Sequence, residues 1–267
     1  MPDDRIEADL AKAIAAAAAE AGKLALDSWQ TDFRRWEKAA GSPVCDVDLA
    51  VDELLKQRLK AIDPTAGWLS EETADEPSRL DQDRIWLVDP IDGTRDYVRG
   101  RPGWAISVAL IERGEPSIGV LVAPAREEVW VATAGGGATR NGQPLVASGL
   151  TTLQGARVPT DSPAKYLPPG VLSVAKPNSI ALRVAMVASD EADFIATTSW
   201  GYEWDLAAAA LIASEAGATV TDANGAAIRF NTPDAHIFGV LAAAPGLHPE
   251  VLTLIRRWAA GVAAGSR

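Results

Sequence analysis

The sequence predicts a mixed fold, with an N-terminal α+β lobe over residues 1–150 and a C-terminal α/β lobe over residues 151–267. Three observations predict it. Two stretches with helical hydrophobic spacing open the chain. Short β-type runs separated by turn signals follow, as far as Asn141-Gly142. Strand and helix patterns then alternate beyond residue 170, and no internal repeat is present.

From about Glu7 to Trp29, Leu10, Ile14, Ala17, Ala18, Ala21 and Leu24 recur at helical spacing in an alanine-rich background of high helix propensity. Lys38 to Pro43 reads as a loop. Val47, Val51, Leu54, Leu55, Leu59 and Ile62 mark a second amphipathic helix, with Asp46 or Asp48 able to cap its start and Pro64 after its end. Trp68-Leu69 is a short strand running into Ser70-Glu71-Glu72. Ile85 to Val88 is a buried strand that Pro90, lacking an N–H, should end in a turn. Trp104 to Glu112, Ser117 to Val122 and Glu128 to Ala132 are further strands. Arg113 to Pro116 is a turn and Asn141-Gly142 a hairpin signal, so this part reads as an antiparallel meander flanked by helices. Residues 150 to 170 carry the weakest pattern, with Pro159, Pro163, Pro168 and Pro169, and the lobe boundary is placed there. Beyond it, strands are expected at Val171–Val174, Asp193–Thr197, Thr219–Thr221, Ile228–Phe230 and Val240–Ala243. Helices are expected at Ser179–Ala188, Leu206–Ala216 with Gly217 as C-terminal cap, and Glu250–Trp258.

Composition narrows the function. A net charge of −11 and a pI near 4.7 argue against polymeric nucleic acid or anionic membrane as partners, since both need a basic surface. An anionic substrate would therefore need local positive charge, which bound cations provide. Cys45 is the single cysteine, so no internal disulfide forms, in keeping with a cytoplasmic location, and with only His236 and His248 a zinc site is improbable. Asp3, Asp4, Glu7 and Asp9 precede the first apolar run, where a signal peptide wants positive charge, and no run is long enough to span a membrane.

The chemistry concentrates in Ile85-Trp86-Leu87-Val88-Asp89-Pro90-Ile91-Asp92-Gly93-Thr94. The Asp89 and Asp92 carboxylates and the Ile91 carbonyl are hard oxygen donors of the kind magnesium or manganese prefers. Gly93 allows a positive φ, and the Gly93 and Thr94 N–H groups can face an anion. A divalent cation beside an anion pocket suggests phosphate chemistry; alone, the segment reads equally well as ordinary Asp-Pro and Asp-Gly turn pairs. A calcium loop is excluded, because Pro90, Val88 and Arg99 stand where its acidic ligands would be. Two further acidic elements tip the balance: Glu71-Glu72 after a strand, and Asp205 in the first turn of a helix.

Together these residues resemble the inositol monophosphatase superfamily of metal-dependent, lithium-sensitive phosphatases, over nearly the whole chain. The resemblance rests on Trp86 to Thr94, on Glu71-Glu72 before it, on Trp204-Asp205 followed by an alanine-rich helix and Glu215-Ala216-Gly217, and on Ser42-Pro43-Val44 with Asp48. It implies a layered α-β-α-β-α sandwich of the inositol monophosphatase/fructose-1,6-bisphosphatase type, often dimeric, with the site between lobes. It implies two or three Mg2+ ions, with Mn2+ as a substitute, held by Glu71, Asp89, Ile91 through its carbonyl, Asp92 and, from the other lobe, Asp205. Thr94 would orient the attacking water with Glu71 or Glu72, Gly93 and Thr94 would hold phosphate, and Asp48 and Lys38 would stand behind them.

Two departures bear on the substrate. Relatives that hydrolyse inositol phosphates usually carry a glutamate seven residues before the aspartate of the Trp-Asp pair, where this chain has Thr198. Glu203, directly before Trp204, is more like relatives that remove the 3′-phosphate from phosphoadenosine phosphate, and would contact substrate. The expected activity is therefore a 3′(2′),5′-bisphosphate nucleotidase. Inositol-1-monophosphatase is the alternative, sugar phosphates and histidinol phosphate stay open, and a non-catalytic regulatory relative is the rival from another class. Arg95, Arg99 and Arg101 are candidates for a second phosphate, and Trp200 is the tryptophan singled out for stacking on a base.

Overall fold

The structure, a computed structural model, describes residues 2–31, 34–39, 42–161 and 168–265, with side chains over 6–31, 34, 45–161 and 168–257. The side chains of Lys38 and of Ser42 to Val44 lie outside the described residues, as does 162–167 within the proline-bearing stretch.

Helices α1 (Pro2–Ser28) and α2 (Asp46–Ile62) pack together through Ile14, Ala18, Ala21, Leu55 and Leu59. They cover one face of a sheet that has, among the described residues, seven strands: β3 (Gly67–Ser70), β4 (Arg84–Asp92), β5 (Ala105–Glu112), β6 (Glu115–Ala123), β7 (Glu128–Thr133), β8 (Gly137–Arg140) and β9 (Gln143–Pro144). The strands lie in chain order and are antiparallel except for the parallel β3–β4 pair. The expected meander is therefore present, and its Asn141-Gly142 turn has both residues at positive φ, 50° and 75°, as a type I′ hairpin turn requires.

A short helix α3 (Thr94–Val98) follows β4, and the opposite face of the sheet is covered by α4 (Ile180–Ala188) and α5 (Glu203–Glu215). Helix α5 is apolar nearly all round because it is enclosed. Leu206, Ala208 and Ile212 share a core with Leu87, Leu121 and Trp130 of the large sheet and with Ile195, Ile237 and Val240 beneath. The latter three belong to a three-stranded sheet ordered β12 (Phe194–Tyr202), β14 (His236–Ala243), β13 (Thr219–Thr221), on whose outer side lies α6 (His248–Gly265). The result is the expected α-β-α-β-α layering. A short parallel pair, β10 (Arg157–Pro159) and β11 (Leu172–Val174), accompanies the smaller sheet.

Three local expectations are corrected. Of the stretch Lys38 to Pro43, read as a loop, Lys38, Ala39, Ser42 and Pro43 belong to an antiparallel ribbon of β1 (Arg35–Ala39) and β2 (Ser42–Cys45), and 40–41 lie outside the described residues; a two-stranded ribbon consists only of edges, so Pro43 costs it little. Pro90 does not end β4, which runs on to Asp92. Asp89 pairs with Ser107 and Asp92 with Ala105, three steps on β4 against two on β5, so Pro90 falls in a bulge where its missing N–H breaks no ladder bond. Ile228 to Phe230 is irregular instead of extended. The Asp222 carboxylate accepts the N–H groups of Asn224 and Ala226 at 2.9 and 2.8 Å, and Phe230 serves as an apolar plug whose N–H reaches Gly114 O at 3.1 Å.

The close fit of α5 to the large sheet depends on Gly119 of β6. A Cβ there would lie 2.7 Å from Ala208 O and 3.0 Å from its Cα. Gly119→Ala should therefore lower stability by about 1–3 kcal/mol, measured as a lower urea midpoint at unchanged slope. A variant as stable as the parent would show that α5 does not sit this close.

Candidate active site

The acidic residues converge where β3, β4 and the start of α5 meet. Glu71 follows directly on β3, and its N–H reaches Val88 O at 3.2 Å. The turn after β3 is tied down from α2, since Asp52 accepts hydrogen bonds from the hydroxyls of Ser70 and, at 2.6 Å, Thr73. Asp89 is 1 % exposed and closes a small turn over Pro90, accepting the Ile91 N–H at 3.0 Å. Asp205 occupies the third position of α5 and accepts the Tyr202 N–H at 3.1 Å, as a carboxylate in a first helical turn can. It lines the same cavity as Asp89, so the two halves of the chain meet at the site.

Asp92 has a second task that the sequence did not reveal. Its carboxylate receives the Ser179 hydroxyl at 2.5 Å and the N–H groups of Ile180 and Ala181 at 3.3 and 2.7 Å, so it caps α4 from across the site. The same junction is stitched by Ser179 N to Gly103 O at 2.9 Å and Asn178 N to Asp96 Oδ2 at 3.0 Å. Gly93 lies within it at φ 94°, where a Cβ would meet Gly103 O at 2.6 Å and Ser179 N at 2.8 Å.

Burial and crowding set the electrostatics. Asp89 is pushed well above the ordinary carboxylate range, first by burial and then by Glu71, Asp92, Asp205 and Asp48. Asp205 is pushed up likewise, by burial and then Asp92. Burial also raises Asp92, with the Ser179 and Ala181 hydrogen bonds pulling the other way. Glu71, Asp89, Ile91, Asp92 and Asp205 line one cavity of about 630 Å3, and Gly93, Thr94 and Arg95 stand beside them. These oxygens suit a hard divalent cation, and their unrelieved repulsion is what such a cation removes. Among the described residues no three Asp, Glu, His or Cys side chains form a ready-made cage, so the donors fit a cation by chemistry and not as a preformed shell.

Behind the cavity, the Thr94 hydroxyl lies 2.9 Å from Ile91 O and 3.5 Å from Asp48 Oδ1. Asp48 is buried and its other oxygen accepts the Cys45 N–H and thiol at 2.8 and 2.9 Å. The Cys45 thiol is pushed up to about 12 by burial and by Asp48, so it is a donor and not a nucleophile.

Other expectations divide. Arg95 lines the cavity, whereas Arg99, Arg101, Glu72 and Thr198 do not; Thr197 and Ser199 line it in place of Thr198. Glu203 is corrected outright. It is fully buried, does not line the cavity, and accepts the N–H groups of Asn231 and Thr232 at 2.6 and 2.8 Å and the Thr232 hydroxyl. Its carboxylate holds the turn before β14. Arg183 was missed. It lines the cavity and is tied to Ser179 O and Asn178 O at 3.2 and 3.0 Å. Its signal was present: it is the one charged residue in the otherwise apolar Ile180–Ala188 helix.

A buried amide cannot replace the Glu203 carboxylate, because its NH2 group would face N–H donors. Glu203→Gln should therefore lower stability by about 1–3 kcal/mol in urea denaturation while KM for any hydrolysed ester stays put. A raised KM at unchanged stability would return Glu203 to the substrate.

The sequence profile of the Inositol monophosphatase family matches residues 7–258. A histidinol-phosphatase of Mycobacterium tuberculosis is 34% identical over 237 residues, 83% of this chain and 88% of that protein. A Nus factor SuhB of Pseudomonas aeruginosa is 32% identical over 208 residues, 71% and 75% of the two chains. The solved structure of the Thermotoga maritima IMPase superimposes with a TM-score of 0.80 at 27% identity, covering 95% of this chain and 97% of that one.

Proposed function

The chain belongs to the inositol monophosphatase family, whose members are phosphatases and generally metal-dependent, and from that premise we propose that it is a Mg2+-dependent phosphomonoesterase acting on a small phosphate ester. The observation that carries this reading is the arrival of Asp205, from the C-terminal half, against Asp89 and Asp92 in one cavity.

Glu71, Asp89, Asp92, Asp205 and the Ile91 carbonyl are the groups proposed to hold the cations. When bound, these would neutralise phosphate charge, lower the pKa of water and stabilise the departing alkoxide. The chain's own part is positioning. The Thr94 hydroxyl has one proton and two oxygen acceptors beside it, Ile91 O and Asp48 Oδ1. Its lone pairs are therefore left to accept a hydrogen bond from water, which fixes that water's orientation. Asp48 is itself held by the Cys45 N–H and thiol. The Gly93 and Thr94 amides and the Arg95 and Arg183 guanidinium groups are proposed to receive the phosphoryl oxygens.

For substrate, the preference for a 3′(2′),5′-bisphosphate nucleotide (phosphoadenosine phosphate to AMP) loses Glu203, Arg99 and Arg101 as support, keeps Arg95 and gains Arg183. For inositol 1-phosphate the protein lacks the glutamate that Thr198 replaces, and histidinol phosphate gains weight from the relative in Mycobacterium tuberculosis. Side-by-side kinetics on the three esters, with and without lithium, rank them. The regulatory reading has a counterpart in the relative named a Nus factor. Absence of phosphate release from every ester would favour it.

Asp89→Asn should abolish phosphate release in saturating Mg2+ while circular dichroism stays unchanged. In chelator its melting temperature should exceed the parent's, because one buried repulsive charge is gone, and added Mg2+ should raise it less than it raises the parent's. Near-normal turnover in this variant would remove the mechanism. Thr94→Ala should lower kcat by about a hundredfold with a much smaller change in KM; a change confined to KM would assign Thr94 to binding alone.

A further inference from the structure

The cavity has a second wall that the hydrolytic chemistry leaves unused. Along β12, Trp200 and Tyr202 point to the same side and both line the cavity, yet they are 66 % and 42 % exposed. Their cross-strand partners on β14 are Phe238 and His236. Trp200 lies 5.1 Å from Phe238 and 6.3 Å from His236 between ring centroids. Tyr202 lies 4.5 Å from His236 and stacks on Trp204 at 4.5 Å with 6° between planes. The rings thus brace one another, with one face of Tyr202 covered by Trp204, while Trp200 keeps most of its surface open at the cavity and Tyr202 keeps part of its own.

The backbone is shaped to present them. Between Thr197 and Trp200, β12 takes three steps while β14 takes two, from Val240 to Phe238, so one surplus residue re-aims Trp200. Gly239, at φ 66°, stands opposite the bulge, and a Cβ there would lie 2.2 Å from Thr197 O. The Thr197 hydroxyl gives one lone pair to the bulge, accepting the Val240 N–H at 3.1 Å. Beside the Thr197 and Ser199 hydroxyls, the wall offers the exposed indole of Trp200, a surface suited to a ring.

We infer that Trp200 and Tyr202 form an aromatic shelf that receives the alcohol portion of the ester, and that this portion carries a planar nitrogen heterocycle, imidazole or purine, in preference to a polyol. The inference rests on the phosphomonoesterase reading for its phosphate and on the shelf for its ring. A heterocycle stacked on an indole gains offset-stacking contacts that a puckered polyol cannot match. Trp200 acts as a specificity determinant, remote from the reacting atoms.

The test compares the parent, Trp200→Ala and Trp200→Phe on histidinol phosphate, 3′-phosphoadenosine 5′-phosphate and inositol 1-phosphate with added Mg2+. The parent should prefer at least one ring-bearing ester, and the two ring esters separate imidazole from purine. In Trp200→Ala, KM for that ester should rise about tenfold and its kcat/KM relative to inositol 1-phosphate should fall by about the same factor, with Trp200→Phe restoring most of it. Equal losses on ring and polyol esters, or no loss, would overturn the shelf. Light scattering on the same proteins covers the other occupant: a change of molecular mass in Trp200→Ala would assign the rings to contact with a second copy and overturn the inference. If the parent releases phosphate from none of the esters, the phosphatase reading fails by itself. The shelf is then judged by calorimetric binding of histidinol and AMP, which Trp200→Ala should weaken about tenfold and which, if unaffected, would sink it.

Discussion

Buried carboxylates that repel one another are the constraint around which this molecule is arranged. Asp89, Asp92 and Asp205 are each driven toward protonation by burial, and Asp89 and Asp205 further by their neighbours. Nothing in such a cluster favours folding, so its geometry has to be imposed from outside. The imposing elements are the Asp52 tether behind Glu71, the turn across Pro90, the seat of Asp205 in the first turn of α5, and the enclosure of α5 between two sheets.

Asp92 shows how one carboxylate serves both the site and the frame. By accepting the hydroxyl of Ser179 and the amides at the start of α4, it converts part of its burial cost into a helix cap and joins the strand-borne half of the site to the helix-borne half. Arg183 then sits one turn into that helix with its guanidinium returned to the carbonyls of Asn178 and Ser179, beside the cavity. The side proposed to face phosphate is thereby fixed relative to the side proposed to hold cations through a handful of hydrogen bonds.

Much of this was legible in the sequence where the local pattern and the tertiary demand agree. The α1 and α2 helices, the meander from β4 to β9 and the enclosed α5 follow from periodicity, because each presents one consistent hydrophobic pattern to its surroundings. Site residues legible as a set were those whose chemistry is unusual for their context, such as two aspartates at the end of an apolar strand. What escaped depends on partners distant in the chain. Glu203 looked like a substrate contact because it adjoins Trp204-Asp205, but one residue along a helix points about 100° away, into the Asn231–Thr232 turn. Ile228 to Phe230 has strand composition, but the Phe230 N–H is taken by Gly114 O and its side chain enters the core. Pro90 and Pro43 were read by their local rule, which bulges and ribbon edges relax.

The two bulges divide the labour of the site. The one in β4 lies among the proposed cation ligands, where a shift of one residue would turn Asp89 or Asp92 away from the cavity, since strand side chains alternate faces. The one in β12 lies at the opposite wall, opposite Gly239, among residues that carry no charge: Thr197, Ser199 and Trp200. The second bulge belongs to a separate sheet, in which β12 pairs with β14, and it lies upstream of Tyr202, whose N–H holds Asp205. The bulge in β12 thus sets the aim of Trp200 at the rim, while the strand's end at Tyr202 anchors Asp205, so one strand carries both the uncharged wall and a support of the acidic cluster.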